Sequence, residues 1–352
     1  MRGKAYILGK VLQQTMSRQP VTLKDLAKAL GVSPSTVSRA LKDSHEISDA
    51  TKQAVWRLAQ KLDYQPNLIA QRLLSRRSYT VGVIVPEISY FFNSEAIRGI
   101  EDILLKAGYN LTICQTHESY SREVQHCENL LANRVDGIIS SISGETQQLA
   151  HFHRIREQGI PLVLFDRGFN VPNVSKVMID NEEAAATGVA HLIGTGCRRI
   201  AFLMGPANLP IANARKRGYL RALEAAAIPF DPALTCHCQF SGDMGLAAAM
   251  RLLRLSPRPD AIFAINDRIA LGVLAAARKL GLRVPEDLSV LGFNDEPYSA
   301  LLSPSLSTIL QPAYPMGQEA ARMFLRQLED PAAPPEVRIL QTRLVVREST
   351  RG

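Results

Sequence analysis

Cysteine is scarce in this chain, and what there is does not pair by spacing. Cys114, Cys127, Cys197, Cys236 and Cys238 are odd in number and form no CxxC motif. That argues against a disulfide framework and for reduced, mostly buried thiols in a cytoplasmic protein. Cys236-His237-Cys238 suggests a metal site, but alternation along a strand turns His237 away from both cysteines. With no second ligand cluster, neither a metal nor any other cofactor is expected. Long apolar runs are missing too: no stretch of about 18 uncharged apolar residues exists, so no membrane span is expected. The start, MRGKAYILGK, has an apolar run of only four residues before Lys10, too short for a signal peptide. G-x-G-x-x-G, GxSxG, P-loop and H-E-x-x-H motifs are all absent, and no acid/base pair stands beside a nucleophile, so no enzyme is expected.

What is present is unevenly distributed charge. The 352 residues carry a net charge of +8. Residues 1–80 hold 14 Lys and Arg against 5 Asp and Glu, whereas the remaining 272 hold 27 against 28. One small end therefore carries the whole excess, the footprint of a nucleic-acid-binding module on a neutral body. The length is too great for one core and predicts two or three domains.

Within the basic end, Thr22 is placed to cap a helix over Leu23–Leu30, with Asp25 as its partner in a capping-box-like pair. Gly31 ends that helix where a left-handed residue is needed. Ser33 caps a second helix, Pro34 fills its first turn, and the helix runs to about Leu41. Two helices joined by a short glycine turn describe a helix-turn-helix. A third helix follows Ser48, with Val55, Leu58, Ala59 and Leu62 as its apolar stripe. Leu26, Leu30, Val32, Val37 and Leu41 complete a very small core. The exposed side of the second helix carries Ser35, Thr36, Ser38 and Arg39. Such residues reach phosphates and base edges, and arginine grips guanine bidentately; a merely solvated polar face is the rival reading. Beyond Tyr64, LIAQRLLSRRS is a short segment expected to order only when something packs on it.

From Tyr79 the texture changes. YTVGVIVP, NLTICQT, VDGIISSI, IPLVLFDR, KVMID, RRIAFLMG, AIFAIN, LSVLGFN, STIL and RILQTRLVV read as strands alternating with amphipathic helices. The pattern is doubly wound α/β, and roughly 270 residues suit two such lobes with a cleft between them.

Taken together, VTLKDLAKALGVSPSTVSRALKD, YQPNLIAQRL, GVIVPEI, FDR, RKRGY, IND and GFNDEP resemble the lactose-repressor/galactose-repressor family of bacterial transcription factors, over about Pro20 to Arg347. The resemblance implies residues 1–20 as an N-terminal extension, 21–65 as the DNA-binding domain and 66–78 as a hinge helix or linker. It implies a periplasmic-binding-protein-like effector and dimerisation domain over 79–352. Its first lobe would take about 79–180 with 310–328, its second about 181–309 with 329–352. For DNA, it implies base reading by Pro34, Ser35 and Arg39, and phosphate-directed contacts from Thr22, Ser33, Thr36, Ser38 and Tyr64. Asn67 is a further DNA-binding position, Ala70 matches the minor-groove contact, and Leu73 matches the leucine wedged between base pairs. For the effector, it implies Arg215 as the clamp, with Phe92, Ser141, Asp166, Arg167, Phe240, Asn266, Asn294 and Gln311 around the cleft.

Asparagine stands at 294 where many relatives carry aspartate. Losing that acceptor charge near Arg167 and Arg215 tilts the expectation, among a sugar, a sugar acid and a sugar phosphate, from a neutral sugar towards an anionic ligand such as a sugar acid. A symmetric operator requires a homodimer. No leucine heptad follows Arg347 to support a tetramer; residues 1–19 read either as a basic arm or as the surroundings of a natural start at Met16, the second being preferred. The rival functions are a sugar-binding protein without a DNA role and an α/β enzyme.

Overall fold

A computed structural model describes residues 21–64, 77–168, 171–238 and 240–351, in two units, 1–77 and 78–352. Among the described residues of the first unit there are three helices: α1 (Leu23–Leu30), α2 (Pro34–Leu41) and α3 (Asp49–Lys61). Local chemistry sets their ends. The Thr22 hydroxyl accepts the Asp25 N–H while Asp25 accepts the Thr22 N–H at 2.8 Å, and Gly31 turns the chain at φ 64°. Ser33 accepts the Thr36 N–H at 3.1 Å, with Pro34 in the first turn. Leu26, Ala27, Val37, Ala40, Val55 and Ala59 form the buried core, with Leu30, Val32, Leu41 and Leu58 packed against it. Leu62, expected in the stripe, is exposed, because it falls just past the helix end.

The second unit holds two six-stranded sheets. The first contains β1 (Thr80–Val85), β2 (Asn110–Gln115), β3 (Gly137–Ser140), β4 (Leu162–Phe165) and β5 (Ser175–Ile179) in the order β5-β4-β3-β1-β2. The second contains β6 (Ile200–Met204), β7 (Thr235–His237), β8 (Ala261–Ala264), β9 (Ser289–Asn294) and β10 (Ser307–Leu310) in the order β10-β9-β8-β6-β7. Helices link these parallel strands, as parallel pairing demands. Two of them, α4 (Phe91–Lys106) and α11 (Ala313–Glu329), touch backbone to backbone. A Cβ at Gly99 would strike the Tyr314 carbonyl and one at Gly317 the Ala96 carbonyl, so only glycine permits that approach. The others are α5 (Tyr120–Ala132), α6 (Ala150–Glu157), α7 (Asn181–Gly194), α8 (Pro210–Ala225), α9 (Gly242–Leu252) and α10 (Asp267–Lys279).

The run RILQTRLVV is not one strand. Its first half, β11 (Val337–Leu340), pairs parallel with β5 in the first sheet; its second, β12 (Arg343–Val345), pairs antiparallel with β10 in the second. The chain crosses between lobes three times, after Ile179, after Leu310 and after Leu340. The expected lobe boundary at 329 therefore moves to 341, since β11 finds its hydrogen-bond partners in the first sheet. β7 was not among the strands read from the sequence. Cys236 within it and Cys238 just past its end are buried and His237 is exposed, the alternation expected of a strand. No helix among the described residues is long and apolar enough to cross a membrane.

Candidate functional site

In the first unit, α2 buries Val37 and Ala40 and leaves Ser33, Pro34, Ser35 and Arg39 exposed, with Thr36 and Ser38 half-buried. Several of these polar groups already have partners. The Ser33 hydroxyl lies 2.7 Å from that of Ser35 and 2.8 Å from that of Thr36, a small cluster at the helix start. Thr22 donates its hydroxyl to Asp25 at 2.6 Å, so its side chain serves the cap. Those contacts from Thr22 hold the Asp25 carboxyl below its usual range. Arg39 pairs with Glu46 at 2.6 Å, both about half exposed. Tyr64 packs on the core, and burial pushes its phenol up. Asn67, Ala70 and Leu73 lie outside the described residues.

In the second unit a cleft of about 490 Å³, its open mouth included, lies between the lobes. From the first lobe come Phe92, Asp166 and Arg167; from the second, Arg215, Phe240, Asn266 and Asn294; Gln311 sits on the middle crossing. Eight of the nine expected cleft residues thus line one cavity. Most stand at or just beyond the C-terminal ends of parallel strands, where such folds place ligands. Ser141 does not join them: it is fully buried beside β3, donating its N–H to the Ile84 carbonyl at 2.9 Å.

Arg215 forms the floor at 3% exposure. Its Nε donates to Asn181 at 2.9 Å, one Nη donates to the Ile265 carbonyl at 2.6 Å, and its carbon lies 3.5 Å from the Phe293 ring centre. Burial without a bound carboxylate pushes its pKa down to about 9. Arg167 is treated differently. Burial works against its cation, but Glu118 at 2.7 Å and Asp166 at 3.7 Å more than offset that and raise its pKa. Asp166 adopts a left-handed backbone, φ 61°, and accepts the Gln311 amide at 2.9 Å. Asn266 caps α10 by accepting the Ile269 N–H at 2.9 Å. Beneath it Asp267 is fully buried and accepts from Thr308 at 2.7 Å, Ser299 at 2.9 Å and the Glu296 N–H at 2.8 Å. Burial outweighs those three bonds and pushes its carboxyl up to about 7.

Five lining residues were not foreseen: Tyr90, Asn93, Ile211, Arg268 and Glu296. Each had a signal. Tyr90 and Asn93 flank Phe92, Arg268 and Glu296 follow Asn266 and Asn294 by two, and Ile211 is one helical turn before Arg215. Among the described residues no group of His, Cys, Asp and Glu is arranged to hold a metal ion.

A model of bacterial regulatory proteins of the lacI family matches residues 22–67, and a periplasmic-binding-protein-like domain matches residues 189–350. The chain is 33% identical to catabolite control protein A of Priestia megaterium, over 94% of this chain and 99% of that protein. It is 32% identical to the ribose operon repressor of Halalkalibacterium halodurans, over 94% and 97%. Its fold matches the lac repressor dimer solved with operator and the anti-inducer ONPF, with a TM-score of 0.86, 28% identity and coverage of 95% and 100%.

Proposed function

The chain belongs to the lacI family of bacterial regulatory proteins, and from that premise we propose that it is a DNA-binding transcriptional repressor of carbohydrate or sugar-acid metabolism genes. It works as a homodimer on a palindromic operator, switched by a small molecule held between its lobes. The observation that carries this reading is the cleft itself. Residues from both lobes and from the crossing at Gln311 converge on one cavity rich in hydrogen-bonding groups, as a sugar, sugar acid or sugar phosphate requires.

The mechanism follows from that arrangement. A ligand touching Asp166 on one lobe and Arg215 on the other favours whichever lobe arrangement lets it reach both. A difference of about 1–3 kcal/mol between arrangements is enough to change operator affinity several- to a hundredfold. On DNA, Arg39 and Ser35 face the base edges while Ser33, Thr36 and Ser38 approach the backbone, close enough because they are small. The start of α2 adds its positive dipole end to those phosphate contacts.

A gel-shift titration on the region upstream of the protein's own operon, run against sugars, sugar acids and sugar phosphates, tests the proposal. The expected result is specific binding that falls steeply with salt and shifts with one class of ligand. Binding of a sugar with no operator complex at any salt would instead favour a sugar-binding protein without a DNA role.

A further inference from the structure

The charges around the cleft are unequally answered. Of the three guanidiniums that line it, Arg167 is held by two carboxylates, Glu118 and Asp166. Among the described residues Arg215 donates only to neutral acceptors, the Asn181 amide oxygen and the Ile265 carbonyl, with Asp166 and Asp267 acting on it as charges without a salt bridge. Arg268 forms no salt bridge among the described residues; its guanidinium carbon lies 4.8 Å from the centre of the Tyr90 ring. That contact leaves the N–H groups of Arg268 without a hydrogen-bond acceptor among the described residues, so its fork is available to a planar, doubly accepting partner. The remaining acidic lining residue, Glu296, forms no salt bridge with Arg215 or Arg268; burial pushes its carboxyl above the usual range, against the pull of the Tyr298 hydroxyl and the nearby Arg268 charge. The sequence credited the cationic character of the cleft to Arg167 and Arg215; in the structure carboxylates answer Arg167, and Arg268 stands beside Arg215 in its place.

We propose that the effector is an acidic sugar, a hydroxylated ring bearing one carboxylate or phosphate, and that Arg268 receives the oxyanion. The inference rests on reading the cleft as the effector site. Arg215 has two of its donors engaged and is fixed on Phe293, so it offers a narrow edge suited to hydroxyls. Arg268 offers its whole fork, and it is half-buried, where a charge-assisted bond is roughly twice as strong as a neutral one. A neutral sugar would leave that fork unanswered. Tyr90 belongs to the first lobe and Arg268 to the second, so an anion bound there also bears on the lobe contact.

Calorimetry on the full chain with hexuronates, aldonates, hexose phosphates and their neutral parent hexoses tests this. At least one acidic member should bind tenfold or more tighter than its neutral parent, with affinity falling as salt rises. Arg268→Gln should erase that preference, Arg268→Lys should keep part of it, and Glu296→Gln should widen it. Thermal unfolding of each variant reports that it is folded. Carboxylate and phosphate are separated by which acids bind. Neutral parents binding as tightly as the acids, or an acid preference unchanged in Arg268→Gln, overturns the inference while leaving the cleft reading intact. Silence from the whole panel fails both.

Discussion

Before DNA arrives, Arg39 is paired with Glu46, and this pair makes the cost of base reading measurable. Its nitrogen and oxygen lie 2.6 Å apart, and the side chains are 51% and 53% exposed. A pair so exposed contributes about 0.2–1 kcal/mol. Releasing Arg39 for a guanine must surrender that amount, and at about 1.4 kcal/mol per tenfold the surrender is roughly 1.4- to 5-fold in affinity. Glu46→Gln removes the competitor and a negative charge near the phosphates, so operator binding should tighten by about that factor. Fluorescence anisotropy on an operator duplex, at several salt concentrations, reads the change, which should shrink as salt rises. A double-mutant cycle with Arg39→Ala separates the two effects. Arg39→Ala alone should cost about 1–3 kcal/mol on operator and little on unrelated DNA. If Glu46→Gln tightens binding equally in the Arg39→Ala background, the pair is irrelevant and only bulk charge matters. Weaker binding by Glu46→Gln would refute the reasoning outright.

Other expectations follow from the same coordinates. Arg215→Ala should abolish the ligand's effect on operator binding, read by gel shift, because it removes the floor of the cleft. Leu26 is fully buried in a core of six residues, so Leu26→Ala should cost about 2–5 kcal/mol, comparable to what so small a unit has. Calorimetric unfolding should then lose the first unit's transition and keep the second's. Asp267 holds its proton more tightly folded than unfolded, so between about pH 4 and 7 the native state carries more protons. Stability of the second unit should therefore fall as pH rises through that window, and Asp267→Asn should flatten that slope in a melting-temperature series; an unchanged slope would assign it to other groups.

The parts of this molecule legible in its sequence are those governed by near neighbours. The Thr22–Asp25 box, the Gly31 turn and the Ser33-Pro34 start are chemistry within four residues, and each forms as expected. Most cleft residues were legible through the family resemblance, and they converge because parallel strands deliver their ends to one edge. What was not legible depends on partners far along the chain. Glu118 neutralises Arg167 across 49 residues, which turned an apparent ligand cation into an internal ion pair. RILQTRLVV looked like one strand because alternation does not say which sheet supplies the hydrogen bonds. β7, at three residues, is too short to carry a period. Ser141 has the polarity of a cleft residue, yet its place at the end of β3 leaves it under the surface.

The Gln311–Asp166 hydrogen bond joins a segment that connects the lobes to a carboxylate that faces the ligand. An incoming hydroxyl that takes that carboxylate oxygen takes it from the connecting segment. Recognition and motion then compete for a single atom. Ligands of similar affinity can therefore differ in whether they reach it, and a tight binder that leaves the amide in place would occupy the protein without instructing it.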